Sequence, residues 1–440
     1  MTYDLVGIGI GPFNLGLACL SDPLDDVEAL FLDESPEFRW HPGMMIEGST
    51  IQVPFLADLV TMADPTSPYS FLSFLKATGR LYPFYIRESF YPLRAEYDAY
   101  CRWAAGQLDS LRWGRRVEAV EHDPHDDTYV VRARCADGET ETYRARHLVL
   151  GTGTRPTVPP AARDLAGPWL HSADYLRHRE TLRDAGSITI VGSGQSAAEI
   201  YRDLLEDTRA ETYRLDWITR SPRFFPMEYT KLTLEMTSPE YTDHFHGLPL
   251  ELRELLGREQ RGLYKGISGD LVDDIYDTLY RKSVDGPVPT SLLTDTALVD
   301  ATWTGDEYVL RLRHDQLGEE YERRTDALVL ATGYAASVPG CLEPIRDLLA
   351  FDELGRFAVS RDYAVDGERR RVFVQNGEEH THGITAPDLG FGAWRSSTIL
   401  AAITGRDVYP VEQRIAFQEF GLPADASPVR SQAREEARLR

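Results

Sequence analysis

Three glycines near the N-terminus, Gly7, Gly9 and Gly11, lie at alternate positions and are followed by Pro12. A short apolar strand runs into this turn and a helix follows it, so free N–H groups at the start of the helix can bind a pyrophosphate. Glycine has no Cβ, which lets the backbone approach the phosphate closely. Asp33 ends the next apolar run and suits the hydroxyls of a ribose. The pattern predicts a dinucleotide site, with a buried glycine turn of an ordinary α/β domain as the alternative.

A second glycine turn, Gly192-Ser193-Gly194, follows another apolar strand in the middle of the chain. Ala197 takes the third small position, which allows the helix to pack closely on the strand. The next predicted strand ends at Arg220 rather than at an acid, and Arg223 is close behind. An arginine at this place can pair with the 2′-phosphate of NADPH. The second turn therefore predicts an NADPH site.

Each glycine turn has a matching strand later in the chain that ends in Thr-Gly. The first is 147–150, which leads to Gly151-Thr152-Gly153, and the second is 326–331, which leads to Thr332-Gly333-Tyr334. Two units of one design imply two dinucleotides, FAD in the first unit and NADPH in the second. We therefore predict an α/β fold with two Rossmann-like dinucleotide-binding domains and a mostly helical substrate-binding insert.

The proposed insert differs in composition from both units. Residues 224–285 are rich in Tyr, Phe, His and Glu and have mostly helical periodicity. Residues 425–440 are charged and are predicted to form a frayed tail. The predicted domains are a FAD-binding domain (1–170 and 335–410), an NADPH-binding domain (171–227 and 286–334), the substrate-binding insert (228–285) and a C-terminal tail (411–440).

The overall charge excludes two classes of partner. The 440 residues include 70 Asp and Glu against 47 Lys and Arg, for a net charge of −23. Nucleic acid and anionic membranes would repel such a surface, so we expect neither as a partner.

The four cysteines are far apart and include no C-x-x-C pair. This disfavours a metal centre, a dithiol redox centre and a disulfide reductase. The most apolar N-terminal run lacks the basic start of a signal peptide, and no stretch has the length and apolarity of a membrane span. We therefore expect a cytoplasmic protein without a metal site.

Together these motifs resemble those of the N-hydroxylating flavin monooxygenases of siderophore biosynthesis, which act on lysine, ornithine or diamines. The resemblance runs from residue 3 to about residue 410 and is strongest to the putrescine, cadaverine and lysine branch. The segments that carry it are Gly7-x-Gly9-x-Gly11-Pro12, Phe38-x-Trp40-His41, Asp64-Pro65-Thr66-Ser67-Pro68-Tyr69-Ser70-Phe71, Gly192-x-Gly194-Gln195-Ser196-Ala197, Ala331-Thr332-Gly333-Tyr334 and His382-Gly383. Residues 167–175 are similar to the linker of the wider class that uses one FAD and one NADPH domain.

The resemblance implies a reaction. NADPH reduces FAD, oxygen adds to the flavin to give a C4a-hydroperoxide, and a neutral substrate amine attacks its distal oxygen. Gln52 is then the catalytic residue, because its counterpart contacts the flavin and steadies the intermediate. Family members are often homo-oligomers, in particular tetramers. The residues assigned to cofactor binding are Gly7, Gly9, Gly11, Pro12, Asp33, Trp40, His41, Gln52, Arg94, Val117, Gly192, Gly194, Gln195, Ser196, Arg220, Thr332, Gly333, Tyr334, Pro387 and Leu389.

The substrate is predicted from a departure from the family pattern. In relatives that hydroxylate amino acids, a Phe-Leu-Lys-Asp-Leu version of residues 55–59 supplies a lysine that pairs with the substrate carboxylate, and here that position is Ala57. A carboxylate without this cation is costly to desolvate, so a diamine such as putrescine or cadaverine is favoured. Its second ammonium would need an acid or a carbonyl, and the insert offers several, including Glu228 and Glu235, although Lys265 could instead replace the missing lysine. The predicted substrate-binding residues are Ala57, Tyr264, Lys265 and Gly266.

Other interpretations remain open at this point. Within the family, the alternatives are an L-lysine N6-monooxygenase or an L-ornithine N5-monooxygenase, with Ala57 reflecting drift in the pocket wall. A Baeyer–Villiger or sulfide monooxygenase shares the two-domain plan but would oxidise a carbonyl or a soft nucleophile. A non-catalytic flavin sensor would show no amine-stimulated oxygen uptake.

Overall fold

The computed structural model describes residues 1–423 and 425–426, and it begins with a strand–helix–strand motif at the N-terminus. The elements of this first unit are β1 (Thr2–Ile8), α1 (Pro12–Ser21), β2 (Ala29–Leu32), α2 (Phe71–Ala77), α3 (Leu81–Ile86), α4 (Arg94–Ala105), β3 (Leu111–Arg112), β4 (Arg115–Asp123), β5 (Thr128–Cys135) and β6 (Thr140–Leu150). Their order in the sheet is β3-β2-β1-β6-β5-β4. β1 is parallel to β2 and β6, whereas β5 is antiparallel to both β4 and β6.

The composition of the strands explains their places in this sheet. Leu5 and Val6 in β1, and Leu148 and Val149 in β6, are fully buried, because helices and a second layer cover both faces of the sheet. Such strands have unbroken apolar runs. The second half of β5 instead alternates between buried and exposed residues, as a strand with one face in the core does.

The chain then leaves the first unit through a short strand, β7 (Thr154–Pro156). The elements that follow are β8 (Leu170–His171), α5 (Tyr175–Arg183), β9 (Ser187–Val191), α6 (Gln195–Asp207) and β10 (Arg214–Ile218). Five helices come next: α7 (Lys231–Leu234), α8 (Pro239–His246), α9 (Leu250–Glu259), α10 (Arg261–Tyr264) and α11 (Gly269–Ser283). The remaining strands of this part are β11 (Thr290–Leu293), β12 (Thr296–Trp303), β13 (Tyr308–His314), β14 (Glu319–Thr325), β15 (Ala327–Leu330) and β16 (Tyr334–Ala336).

The second unit repeats the plan of the first. Five parallel strands form its sheet in the order β11-β10-β9-β15-β8. An antiparallel meander, β12-β13-β14, precedes β15, just as β4 and β5 precede the parallel end of β6. The helices α7 to α11 are inserted between β10 and β11. The predicted fold class, two Rossmann-like units with a mostly helical insert, is confirmed.

A two-stranded ribbon joins the two units. β7 and β16 pair antiparallel, and each comes directly after one of the Thr-Gly turns. The N–H of Thr157 donates to the carbonyl of Gly333 at 2.9 Å, which extends the ribbon by one bond. The chain therefore leaves for the second unit and returns from it along adjacent strands.

After β16 the chain returns to the first unit. β17 (Val372–Val374) pairs parallel with β6, α12 (Glu379–His382) follows, and α13 (Gly392–Thr404) packs on α1. Short 3-10 helices lie at Pro42–Met44, Pro160–Ala162, Ser172–Asp174, Gly340–Leu348, Gly367–Arg369 and Gly383–Thr385.

The first part of the predicted C-terminal tail lies against the insert. Glu240 accepts N–H groups from Ile415 and Ala416, and Glu235 accepts those of Phe417 and Gln418. The frayed segment predicted at 425–440 lies outside the described residues, apart from 425 and 426. None of the helices in the described part of the chain is both long and apolar enough to cross a bilayer.

Candidate active site

The first glycine turn is held against the end of β6. Gly9 has a φ of +90°, and a Cβ placed on it would lie 2.4 Å from the carbonyl oxygen of Gly151. Both the backbone conformation and the close approach therefore require glycine at this position. At Gly11 a Cβ would meet nothing within 4 Å, so this side of the turn is open.

The start of α1 fits an anion. Gly11 is its N-cap and makes no side-chain hydrogen bond to the helix, and the first turn contains no acidic residue. The leading N–H groups of a helix need partners, and at α2 and α8 a side chain supplies one, Ser70 and Ser238 respectively. A phosphate would supply the missing partner at α1.

The acid predicted to bind a ribose lies beside the same turn. One carboxylate oxygen of Asp33 accepts the N–H of Ile10 at 2.7 Å, and the other accepts that of Ser35 at 2.8 Å. The backbone carbonyl of Asp33 accepts the N–H of Arg115 at 2.7 Å, at the start of β4. Val117 is two residues further along β4 and packs against the core cluster that contains Val6 and Ile8.

The side chain of Asn14 stabilises this turn through hydrogen bonds, and it was not predicted as a site residue. Its side-chain amide donates to the carbonyls of Gly9 at 2.8 Å and Val149 at 3.2 Å, and its oxygen accepts the amide of Gln375 at 2.9 Å. One fully buried side chain thus connects β1, β6 and the segment after β17. The available signal was a lone asparagine within an otherwise apolar and small first helix.

The second glycine turn has the same geometry. A Cβ on Gly192 would lie 2.2 Å from the carbonyl oxygen of Ala331, directly before Thr332. Gly194 caps α6 without a side-chain hydrogen bond, and the first turn of α6, which includes Ser196, contains no acidic residue. Arg220 is exposed directly after Thr219, at the end of β10, where a 2′-phosphate would be bound. Both turns thus place a helix start without a side-chain cap where a dinucleotide phosphate could bind.

A row of aromatic rings leads from the first unit to the ribbon. Trp40 lies 5.4 Å from His41, and His41 lies 5.8 Å from Tyr334, measured between ring centroids. His171 lies 5.2 Å from Tyr334 on its other side. The Nδ1 of His171 accepts the N–H of Ala173 and its Nε2–H donates to the Gly333 carbonyl, which is the neutral tautomer. Burial lowers the pKa of His171, in agreement with this assignment.

The predicted residues Gln52, Arg94 and Gln195 meet at the boundary between the units. The side-chain amide of Gln52 donates to the oxygen of Gln195 at 3.0 Å, and the amide of Gln195 donates to Glu199 at 2.9 Å. Arg94 binds both carboxylate oxygens of Glu199, at 2.7 and 2.8 Å, and also donates to the carbonyl of Met44. Sequence reasoning missed Glu199, whose side chain is only 5% exposed.

The insert closes the same region from a third side. The hydroxyl of Tyr229 donates to the backbone carbonyl of Gln52 at 3.2 Å, and the N–H of Ser268 donates to the side-chain oxygen of Gln195 at 2.8 Å. Gly266 packs so closely on Met227 that a Cβ would lie 2.6 Å from the Met227 nitrogen. Burial raises the pKa of Tyr229, which keeps its hydroxyl protonated as a donor.

Two of the predicted substrate-binding residues share one acid. The hydroxyl of Tyr264 and the ammonium of Lys265 each donate to the same carboxylate oxygen of Glu379 at 2.6 Å. The Lys265 ammonium also lies 4.9 Å from the centre of the Tyr264 ring. Glu379 begins α12, so this contact joins the insert to the segment that returns to the first unit.

Ala57 is buried against the loop before α13. A Cβ on Gly390 would lie 3.5 Å from the Cβ of Ala57 and 3.0 Å from a carboxylate oxygen of Asp388. Asp388 accepts the N–H of Phe391 at 3.0 Å, and burial raises the pKa of its carboxyl. Pro387 and Leu389 flank Asp388, so the two predicted flavin contacts of this loop lie beside Ala57.

A small cavity of about 160 Å³ opens where β6 and β17 end, as expected for a ligand site in a parallel sheet. Thr152, Gly153, Gln375 and His380 are among the residues that line it. A larger groove of about 650 Å³ lies outside the site just described. Arginines 369–371 and Arg406 line it, and each of these four forms an ion pair with an aspartate.

Residues 1–336 match the model of the L-lysine 6-monooxygenase/L-ornithine 5-monooxygenase family. The chain belongs to this family. The match spans the first glycine turn, the second glycine turn and the Thr332-Gly333 turn.

Similar proteins within this family are known from sequence and from structure. The chain is 49% identical over 419 residues to a putrescine N-hydroxylase of Shewanella oneidensis, covering 95% of this chain and 84% of the relative. The FAD-bound cadaverine monooxygenase of desferrioxamine biosynthesis from Erwinia amylovora superposes with a TM-score of 0.94 at 50% identity, covering 97% of this chain and all of that one. An ornithine N-hydroxylase of Kutzneria with reduced FAD, NADP⁺ and L-ornithine superposes with a TM-score of 0.84 at 29% identity, covering 92% and 99%.

Proposed function

We propose that the chain is an NADPH- and O2-dependent monooxygenase that hydroxylates the terminal primary amine of a small aliphatic diamine, putrescine or cadaverine, for hydroxamate siderophore biosynthesis. The observation that carries the proposal is the hydrogen bond from Gln52, in the unit of the first glycine turn, to Gln195, the first residue of the helix after the second glycine turn. Membership of the N-hydroxylating monooxygenase family supports the reaction. The similarity to diamine hydroxylases, at 49–50% identity, supports the substrate class.

The assignment of the two cofactors follows from the two turns. We assign FAD to residues 1–170 and 335–410, held by the first turn with Asp33, and NADPH to residues 171–227 and 286–334, held by the second turn with Ser196 and Arg220. The insert 228–285 binds the substrate. Bound FAD, once reduced by NADPH, supplies the oxygen-transfer chemistry, and the protein supplies placement and electrostatics.

Gln52 is placed to act on the reacting groups. Its side-chain amide donates to Gln195 in the second unit, and its backbone carbonyl accepts the hydroxyl of Tyr229 in the insert, so both segments help to fix the position of this residue. A side chain held in this way can orient a hydrogen bond without reorganising during the reaction. Oxygen transfer to an amine also requires that water be excluded from the reacting groups.

The substrate must reach this site as a neutral amine, because an ammonium has no lone pair. Free alkylamines have a pKa of about 10, so the site has to favour the uncharged form through desolvation. The buried surroundings of Ala57 and the loop at Asp388 provide a site of this kind. An amino acid would also bring a carboxylate, and the position that supplies a lysine for it in the family pattern is Ala57 here. A diamine brings no such group.

We expect hydroxylamine formation with putrescine or cadaverine to exceed that with L-lysine or L-ornithine by at least about tenfold in kcat/KM, which corresponds to one unpaired carboxylate. The measurement compares the four substrates at equal concentration, with NADPH oxidation and oxygen uptake recorded together. Preference for an amino acid would overturn the diamine assignment and leave the enzyme class intact. Turnover of ketones in place of amines would overturn the class itself.

We also propose that the enzyme is cytoplasmic and assembles as a homo-oligomer, a tetramer by family resemblance. Tyr82, Tyr85 and Ile86 on α3 and the nearby Phe90 are 67–76% exposed, and a second copy would cover such an apolar surface. Multi-angle light scattering should give a particle mass near four times 49.7 kDa. A monomer mass at micromolar concentration would contradict this proposal.

A further inference from the structure

We infer that Glu379 binds the second ammonium of the diamine, the one that is not hydroxylated, and so determines the preference for diamines. This inference rests on the function proposed above. It assigns a binding role to a residue that no motif indicated, at the point where the insert meets α12.

The first reason is that Glu379 already binds an ammonium. The Lys265 Nζ and the Tyr264 hydroxyl both donate to one of its carboxylate oxygens at 2.6 Å, and the other oxygen remains for a further donor. Burial raises the pKa of Tyr264, and the negative charge of Glu379 raises it further, so the hydroxyl stays protonated. This geometry suits a primary ammonium with three donors.

The second reason is continuity with the reacting region. Lys265 is three residues before Ser268, whose N–H donates to the same Gln195 oxygen that accepts the amide of Gln52. Gly266, between them, packs on the segment that leads to Tyr229 and the Gln52 carbonyl. Glu379 is therefore paired with the same short segment, 265–268, that contacts the Gln52–Gln195 hydrogen bond.

The third reason is that four other acids considered for this role, Glu199, Asp388, Glu235 and Glu228, have different partners. Glu199 is neutralised by the two bonds from Arg94, and Asp388 accepts the N–H of Phe391 at the start of α13. The two acids predicted for this role are also engaged. Glu235 accepts the N–H groups of 417 and 418, and Glu228 accepts the hydroxyl of Thr233 at 2.7 Å.

The ammonium of Lys265 is also a partner that can be exchanged. Its side chain is 41% exposed, so it can move into solvent when another cation takes its place. An incoming ammonium would replace an ammonium, and the net charge beside Glu379 would not change. No carboxylate of a substrate could make this exchange, because it would face Glu379 directly, and like charges at that distance repel.

The test is Glu379→Gln, which keeps the shape and removes the charge. With putrescine and cadaverine, we expect KM to rise about 10- to 100-fold, the usual effect of losing a charge-assisted hydrogen bond. With butylamine and pentylamine, which have no second ammonium, KM should change less than about threefold. Glu251→Gln is the matched control, an equal change at an exposed acid of the insert, and should leave KM for all four amines unchanged.

Equal effects of Glu379→Gln on diamines and monoamines, or no effect on either, would overturn the inference. FAD content and melting temperature show whether this variant folds. If it does not fold, Glu379→Asp decides. This variant withdraws the carboxylate by one methylene, so KM should rise more for putrescine than for cadaverine and should not change for the monoamines, whereas a purely structural role would leave the ratio of diamine to monoamine KM values unmoved. Failure of the wild-type enzyme to hydroxylate any amine would instead reject the proposed function, a distinct result.

Discussion

A Gly9→Ala variant should be purified without FAD, whereas Gly11→Ala should fold as the wild type does and bind FAD more weakly. The two glycines belong to one turn but differ in their surroundings. A Cβ at position 9 would lie 2.4 Å from the Gly151 carbonyl oxygen, and a Cβ at position 11 would meet no protein atom within 4 Å.

The physical reason for the large effect at Gly9 is twofold. Its φ of +90° is unfavourable for alanine, at a cost of about 1 to 2 kcal/mol, and the overlap with Gly151 forces β1 and β6 apart. Asn14 then loses its two carbonyl partners, Gly9 and Val149, at once. Gly11, with a φ of −86°, can become alanine without strain, but the new methyl group points to the open side where a phosphate would lie.

The measurement is the flavin-to-protein absorbance ratio of the purified variants, with melting temperatures recorded with and without added FAD. Added FAD should raise the melting temperature of Gly11→Ala less than that of the wild type, and should not affect Gly9→Ala. A Gly9→Ala protein with a full complement of FAD would show that the first turn does not hold this cofactor.

An Arg94→Met variant should lose about 3 to 5 kcal/mol of unfolding free energy, because it leaves the buried carboxylate of Glu199 without its partner. Reduction of the flavin by NADPH should also slow by about tenfold, since Glu199 holds Gln195 and one hydrogen bond of this network is worth about that much. Chemical denaturation measures the first effect, and anaerobic stopped-flow absorbance measures the second.

Two further variants distinguish the loss of the Arg94–Glu199 ion pair from the general effect of removing an arginine. Arg102→Met breaks a pair with Asp98 on the same helix, but Arg102 is 52% exposed, so the loss should stay below about 1 kcal/mol. The double variant Arg94→Met with Glu199→Met removes both charges and should recover much of the stability. Equal stability losses for Arg94→Met and Arg102→Met would contradict the central position given to the Arg94–Glu199 pair.

The parts of the fold that were predicted correctly are those with strong local signals. The runs 187–191 and 215–219 became β9 and β10 within one residue, because each is an apolar strand bounded by a glycine turn or by polar residues. The Thr-Gly turns after β6 and β15 were recognisable for the same reason. A turn that only glycine can adopt is recognisable from the sequence, because no other residue fits at that position.

The partnerships at the centre of the site could not be predicted in this way. Arg94 and Glu199 are 105 positions apart, and each looks like an ordinary charge on a helix. Glu235 was predicted as a partner for an ammonium, but the backbone of 417–418 takes its carboxylate, and Glu379 holds Lys265 instead. Charged residues can pair in many arrangements, and only the packing of the two units and the insert selects one of them.

The paired strands β7 and β16 also set an order of events during synthesis. All of residues 157–333 leave the ribosome between these two strands, before β17 and Gln375 exist to complete the first sheet. Asn14 is among the first residues made, yet Gln375, whose amide donates to its side-chain oxygen, is made 361 positions later. The first glycine turn, although it lies at the N-terminus, is therefore among the last parts of the molecule to complete its contacts.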